Sequence, residues 1–178
     1  MDYQTHKDYY KTAYQNGIDI WTHLPVKIRG AKSLVGKLPP GGTILDLGSG
    51  RKLKFIEADV FNIPFTDESF DGICDFGLLE NLHKEDWETY VNEINRVLRS
   101  GGFYLNVSLS RKTRNFLDFS PINSKDGEFE EDNVHYHFFE KEEMKNIFNN
   151  KMTLISDNVE FVEKPREIAL LQTLFKKN

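Results

Sequence analysis

The sequence predicts a layered α/β domain built on a mostly parallel sheet, and three observations carry that prediction. Short apolar runs at 43–47, 53–60, 70–76 and 103–109 alternate with segments of helical period. A glycine turn, Gly48-Ser49-Gly50, follows the first run. A second glycine pair, Gly101-Gly102, stands between the most periodic helix and the last run.

The elements follow in order. Leu24, Ile28, Ala31, Leu34, Val35 and Leu38 recur near every 3.6 residues and predict a helix that Pro39-Pro40-Gly41-Gly42 stop. With Tyr9, Tyr10, Ala13 and Tyr14 able to share a helix face, residues 1–40 read as an N-terminal helical cap on a core of 41–178. Residues 43–47 and 53–60 read as strands, 62–69 as a polar loop, and 70–76 as a buried strand. Over 84–100, Trp87, Tyr90, Val91, Ile94, Val97 and Leu98 line one helix face, which Gly101-Gly102 close. Phe103, Leu105 and Val107 alternate in a further strand. Residues 110–133 show no period and read as a long surface loop, a length uncommon unless functional or mobile. A short helix over 140–150, a strand over 153–162 and a turn at 163–165 follow. The pattern of 168–175 suits strand and helix equally.

Composition bounds the function. The 178 residues suit one domain, 1–178, on a prior of about 150 residues each. A net charge of −5 argues against general nucleic-acid binding. The single cysteine, Cys74, excludes an internal disulfide and a multi-cysteine zinc site. With no apolar run of membrane-spanning length and no signal-like start, a soluble cytoplasmic protein is expected, with no membrane partner.

In parallel sheets ligands bind beyond the carboxyl ends of the strands. Gly48-Ser49-Gly50, Asp59-Val60 and Asp75-Phe76 all fall at such ends. The segments ILDLGSG, FIEADVFNIPFTDESFD, GICDFGLLENL and VLRSGGFYLNVS, in that order, resemble the class I S-adenosylmethionine-dependent methyltransferases. The spacing of Asp59, Pro64, Phe65, Phe70 and Asp71 is more specific than the glycines. The resemblance is strong over 41–109 and weaker to the C-terminus. It implies a Rossmann-like, doubly wound sheet with an antiparallel C-terminal hairpin, and S-adenosylmethionine as cofactor. Asp46, Gly48, Ser49 and Gly50 would then flank the methionine part of the cofactor. Asp59 would accept the adenine amino group, the Val60 amide would lie near the ring, and Asp75 and Phe76 would offer backbone to the amino group.

One departure stands out. The family's glycine pattern puts glycine where this chain has Lys52, and then a helix, a ribose-binding strand and another helix. Here only residues 48–52 separate the first two expected strands, whereas a parallel crossover takes about a dozen residues or more. Either the fold departs from the family's, or a segment of roughly 30–45 residues is missing near 51/52. The expectation is that it is missing from the printed sequence rather than deleted from the protein.

Other residues suggest less. His135 and His137 share a face if extended, after Glu130, Glu131 and Asp132, but their spacing fixes no third ligand and no metal is expected. Glu80 and His83 suit a polar helix start better than a catalytic base. Tyr9, Tyr10, Tyr14 and Trp21 suit burial better than a lid, and Arg111, Lys112 and Arg114 a solvated loop better than substrate selection. The expected function is methyl transfer from S-adenosylmethionine to a small molecule. The alternatives are a non-catalytic scaffold of the same fold and, less favoured, a nicotinamide oxidoreductase.

Overall fold

The computed structural model describes residues 8, 12, 25–47, 56, 58–163 and 167–178. The Gly48-Ser49-Gly50 turn, the 51/52 junction and Tyr9, Tyr10, Ala13, Tyr14 and Trp21 lie outside them. Helix α1 spans Pro25–Val35, and strands β1 (Ile44–Leu47), β2 (Phe70–Phe76) and β3 (Leu98–Leu109) follow, with α2 (Trp87–Val97) between the last two. Strands β4 (Glu128–Glu131) and β5 (Val134–His137), helix α3 (Lys141–Phe148), and strands β6 (Met152–Val162) and β7 (Ile168–Lys177) complete the order.

The main sheet runs β1-β2-β3-β7-β6. Its first three strands pair in parallel, and β7 lies antiparallel to both β3 and β6. The C-terminal hairpin is thus the antiparallel one expected, and the 168–175 segment is strand. The sheet has apolar cores on both faces, so its central strands are buried almost throughout. Side chains alternate between the faces along each strand. Ile73, Tyr104, Leu171 and Phe175 pack with Tyr90 and Ile94 of α2 and Phe148 of α3, whereas Cys74, Leu105, Leu170 and Leu174 pack with Leu34 of α1. Helix α3 opens with a reciprocal cap between Glu140 and Glu143.

Three expectations need correction. The long helix ends at Val97, and β3 begins at once with Leu98 instead of Phe103. Gly101-Gly102 is therefore a bulge inside a strand rather than a helix stop: Leu98 pairs with Phe70, and the next pairing is Phe103 with Gly72. Gly101 takes φ +73°, and a Cβ on Gly102 would lie 2.8 Å from the Arg99 carbonyl oxygen and 2.9 Å from that of Asp71. Arg99 holds the bulge, donating to both Asp71 oxygens at 2.9 and 2.8 Å and to the Glu68 carbonyl at 2.9 Å.

The 110–133 stretch, expected to be loop throughout, ends in the β4–β5 hairpin. Asp132 and Asn133 both take positive φ, 51° and 59°, the two-residue turn whose twist suits paired strands. Phe116, Phe119, Phe129, Tyr136 and Phe138 pack around it, with Phe119 stacked on Phe129 at 4.8 Å. The expected 53–60 strand lies partly outside the described residues. Of the rest, Ile56 and Ala58 have no regular structure, and Asp59 stands at the head of a turn rather than at a strand end.

Candidate functional site

Parallel pairing brings the carboxyl ends of three strands to one rim. Asp46 lies opposite Cys74, Leu47 opposite Asp75, and Phe76 opposite Val107 of β3. Asp46 is half-buried there, Phe76 is buried in the α1-side core, and Asp75 is wholly buried.

The Asp75 side chain turns into the protein. Oδ1 accepts from the Leu78 amide at 2.8 Å, and Oδ2 from the Leu79 amide at 3.3 Å. The hydroxyls of Tyr90 and Tyr104 donate to Oδ2 at 2.7 and 3.0 Å. Burial pushes the carboxyl above its ordinary value, against the pull of these donors. Asp75 thus fixes the 76–79 turn at the end of β2. Beside it, Glu80 is buried and accepts from the Leu109 amide at 2.6 Å; burial, and then Asp75, push its carboxyl well above the ordinary range. Glu80 does stand in the first turn of a short 3-10 helix, Leu79–Asn81, but it is buried there and ties the turn after β2 to the end of β3.

Asp59 is exposed, and its turn is built from its own atoms. Oδ1 accepts from the Phe61 amide at 2.9 Å, and its carbonyl from the Asn62 amide at 3.0 Å. Val60 is half-buried against the α2-side core. The chain then passes to Ile63, whose side chain is buried and whose two backbone groups are both taken by α2. Its amide donates to Glu93 Oε1 at 2.6 Å, and its carbonyl accepts from Arg96 Nη2 at 2.9 Å. Arg96 also donates to the Phe65 carbonyl at 2.8 Å and to Asp67 at 2.9 Å, and pairs with both oxygens of Glu93. Hydrogen bonding from Arg96 holds the Glu93 carboxyl below its ordinary value. Sequence reading missed Glu93 and Arg96. The available signal was an acid and a base three apart on the helix following the Pro-Phe loop.

A second polar cluster lies on the hairpin. His137 is fully buried, with Nδ1 2.8 Å from Glu128 and Nε2 3.0 Å from Glu143. His135 lies 3.1 Å from the other Glu128 oxygen and stacks on His83 at 4.5 Å. Lys84 reaches Glu128 at 2.7 Å. Burial works against the charge of Glu128, but Lys84, His137 and His135 overcome it and hold the carboxyl low. His135 and His137 do share a face, as expected, but their partner is Glu128, which the sequence reading did not single out. Asn81 donates to the His135 carbonyl at 2.6 Å, which packs this hairpin against the segment after β2. Among the described residues, no three His, Cys, Asp or Glu side chains are grouped to hold a metal, and no helix is long and apolar enough to cross a membrane.

Residues 29–106 match the family model of a methyltransferase domain. A ubiquinone/menaquinone biosynthesis C-methyltransferase UbiE of Pseudomonas savastanoi is 36% identical over 75 residues, 42% of this chain and 28% of that protein. The chain spans under a third of the length of the curated relatives it matches first. A 1,6-didemethyltoxoflavin-N1-methyltransferase of Burkholderia thailandensis, solved with 1,6-didemethyltoxoflavin and S-adenosylhomocysteine, superposes with TM-score 0.78 at 16% identity, covering 98% of this chain and 88% of its own. A SAM-dependent methyltransferase of Methanosarcina mazei gives 0.59 at 18% identity, over 74% and 70%. The solved structures share the fold, and residues 29–106 carry the sequence pattern of a methyltransferase domain.

Proposed function

We propose that the chain binds S-adenosylmethionine across the carboxyl rim of β1 and β2 and passes its methyl group to a small organic molecule. The observation that carries this reading is the rim itself: Leu47 lies opposite Asp75 in parallel register, with the exposed Asp59 carboxylate on the loop between their strands. The donor set suits the cofactor. Asp59 Oδ1 accepts from the Phe61 amide, and a carboxylate has further acceptor capacity for an N–H such as the adenine amino group. The Val60 amide lies beside that contact. Asp75 is closed off as a side chain, so it and Phe76 offer main chain only. In this reading Asp46, Gly48, Ser49 and Gly50 border the methionine part.

Bound, S-adenosylmethionine supplies a sulfonium methyl open to in-line attack by an acceptor nucleophile. The chain's part is to hold donor and acceptor in line and keep water out, and positioning of this kind is worth several kcal/mol. A small acceptor is supported by the named activities of the Pseudomonas and Burkholderia relatives, and the net charge of −5 speaks against nucleic acid. A cytoplasmic setting suits the single buried thiol, Cys74.

Thermal melting with added ligand tests the reading. S-adenosylhomocysteine at 100 times its Kd adds about 2.7 kcal/mol of stability, and NAD adds none. A shift with NAD alone points to an oxidoreductase. No shift with either ligand leaves the non-catalytic scaffold.

A further inference from the structure

We propose that Glu93 and Arg96 of α2 position Asp59 for adenine recognition, so that purine selectivity is set from a helix lying behind the loop. The inference rests on the cofactor reading above. It starts from how residues 59–69 are held. This stretch contains no strand longer than a bridge, so sheet pairing does not fix it. Its one buried apolar anchor is Ile63, and both backbone groups of Ile63 are satisfied by side chains of α2. The Arg96 guanidinium then reaches the Phe65 carbonyl and Asp67, and the Arg96 carbonyl accepts from the Glu68 amide at 2.9 Å. Loop atoms at 63, 65, 67 and 68 thus converge on a single residue.

Asp59 lies four positions before Ile63, and the Asp59–Asn62 turn closes directly onto it. Arginine suits the task because its planar fork can meet two carbonyls and a carboxylate at once, whereas an ammonium acts as a point charge. Glu93 fixes the plane of that fork through both of its oxygens. Where the sequence suggested a strand holding Asp59, the structure has a side-chain clasp. Arg96 touches no reacting atom in this reading, so it is a positioning residue.

The test uses the full chain and two ligands: S-adenosylhomocysteine, and S-inosylhomocysteine, which has a carbonyl in place of the adenine amino group. Calorimetric titration should show the wild type preferring S-adenosylhomocysteine by about tenfold or more, since a carboxylate facing a carbonyl loses its donor. Arg96→Ala should bring that preference to within about threefold, and Arg96→Lys should fall between. Hydrogen exchange at the Ile63 and Glu68 amides should quicken in both variants, while that of β3 stays unchanged. General weakening of the fold would lower both affinities together and leave their ratio standing. If Arg96→Ala does not fold, Arg96→Lys decides alone. A wild-type ratio in a folded variant overturns the inference. A wild type that binds neither ligand overturns the cofactor reading itself, and one that binds both equally removes Asp59 as the adenine contact.

Discussion

Two aspartates, Asp75 at the end of β2 and Asp59 in the loop before it, stand in opposite surroundings. Asp75 is wholly buried, with two amides and two tyrosine hydroxyls donating to it. Asp59 is exposed, with one amide of its own turn on one oxygen. Each stands before a tight turn, so sequence alone reads them alike. What separates them is what lies behind. Asp75 follows a central strand covered on both faces, where a carboxylate survives only if its oxygens are met. Asp59 follows no described strand and faces water, so its shape is imposed from a distance through Ile63 and α2. One acid shapes the end of β2, and in the proposed cofactor reading the other meets the adenine.

The largest test of that contrast is Asp75→Ala. It leaves two buried hydroxyls and two amides without their acceptor, and should cost about 3–5 kcal/mol in urea unfolding. A loss below about 1 kcal/mol would erase the contrast. Asp75→Asn keeps an acceptor and sharpens the test through pH. Burial raises the folded carboxyl above its unfolded value, so the native state holds its proton more tightly. That contribution is complete below about pH 4 and is lost as pH rises through the folded value. The cost of Asp75→Asn should therefore shrink as pH rises above about 4, and urea midpoints of the two proteins at increasing pH measure it.

The His137 bridge is an intermediate case, a buried polar group off the rim. His137→Leu removes the partner that Glu128 and Glu143 share, though Lys84 and His135 remain on Glu128. About 2–3 kcal/mol of stability should go, with affinity for S-adenosylhomocysteine changed less than threefold. A larger loss of affinity would mean that the β4–β5 hairpin belongs to the binding site and is more than a support for it.

These examples show what the sequence could reveal. Strand β2 was legible to the residue because its apolar run is bounded by polar loop on one side and glycine on the other. Helix α2 was legible in its apolar face but not at its end: Gly101-Gly102 signals a stop in either geometry, and only pairing with Phe70 and Gly72 makes it a bulge. The β4–β5 hairpin was hidden because its alternate positions are charged. Glu128 pairs across to His137 and Glu130 to His135, so the strands read as polar loop until their ladder is known. The Asp132-Asn133 turn was the signal that could have exposed it. At the site, Asp75 was legible as a strand-end residue, whereas Asp59 heads a turn where a strand end was expected, and the division of labour between the two was not legible. It depends on Tyr90, Tyr104, Glu93 and Arg96, which lie 15 to 37 positions from the aspartate each serves and meet these segments only through folding.

The smallest expected effect on stability belongs to Asp59, and it makes the sharpest test of the comparison. Asp59→Asn keeps an oxygen for the Phe61 amide, and no other described side chain leans on the carboxylate, so urea unfolding should move by less than about 0.5 kcal/mol. In the cofactor reading the loss appears on binding instead. A neutral amide replaces a carboxylate acceptor for the adenine amino group, and a hydrogen bond to a charged partner is worth about 1.5–3 kcal/mol. Titration with S-adenosylhomocysteine should therefore weaken by about tenfold or more, without a matching fall in melting temperature of the free protein. If stability falls and affinity holds, Asp59 is a turn residue like any other, and the two acids differ in exposure but not in purpose.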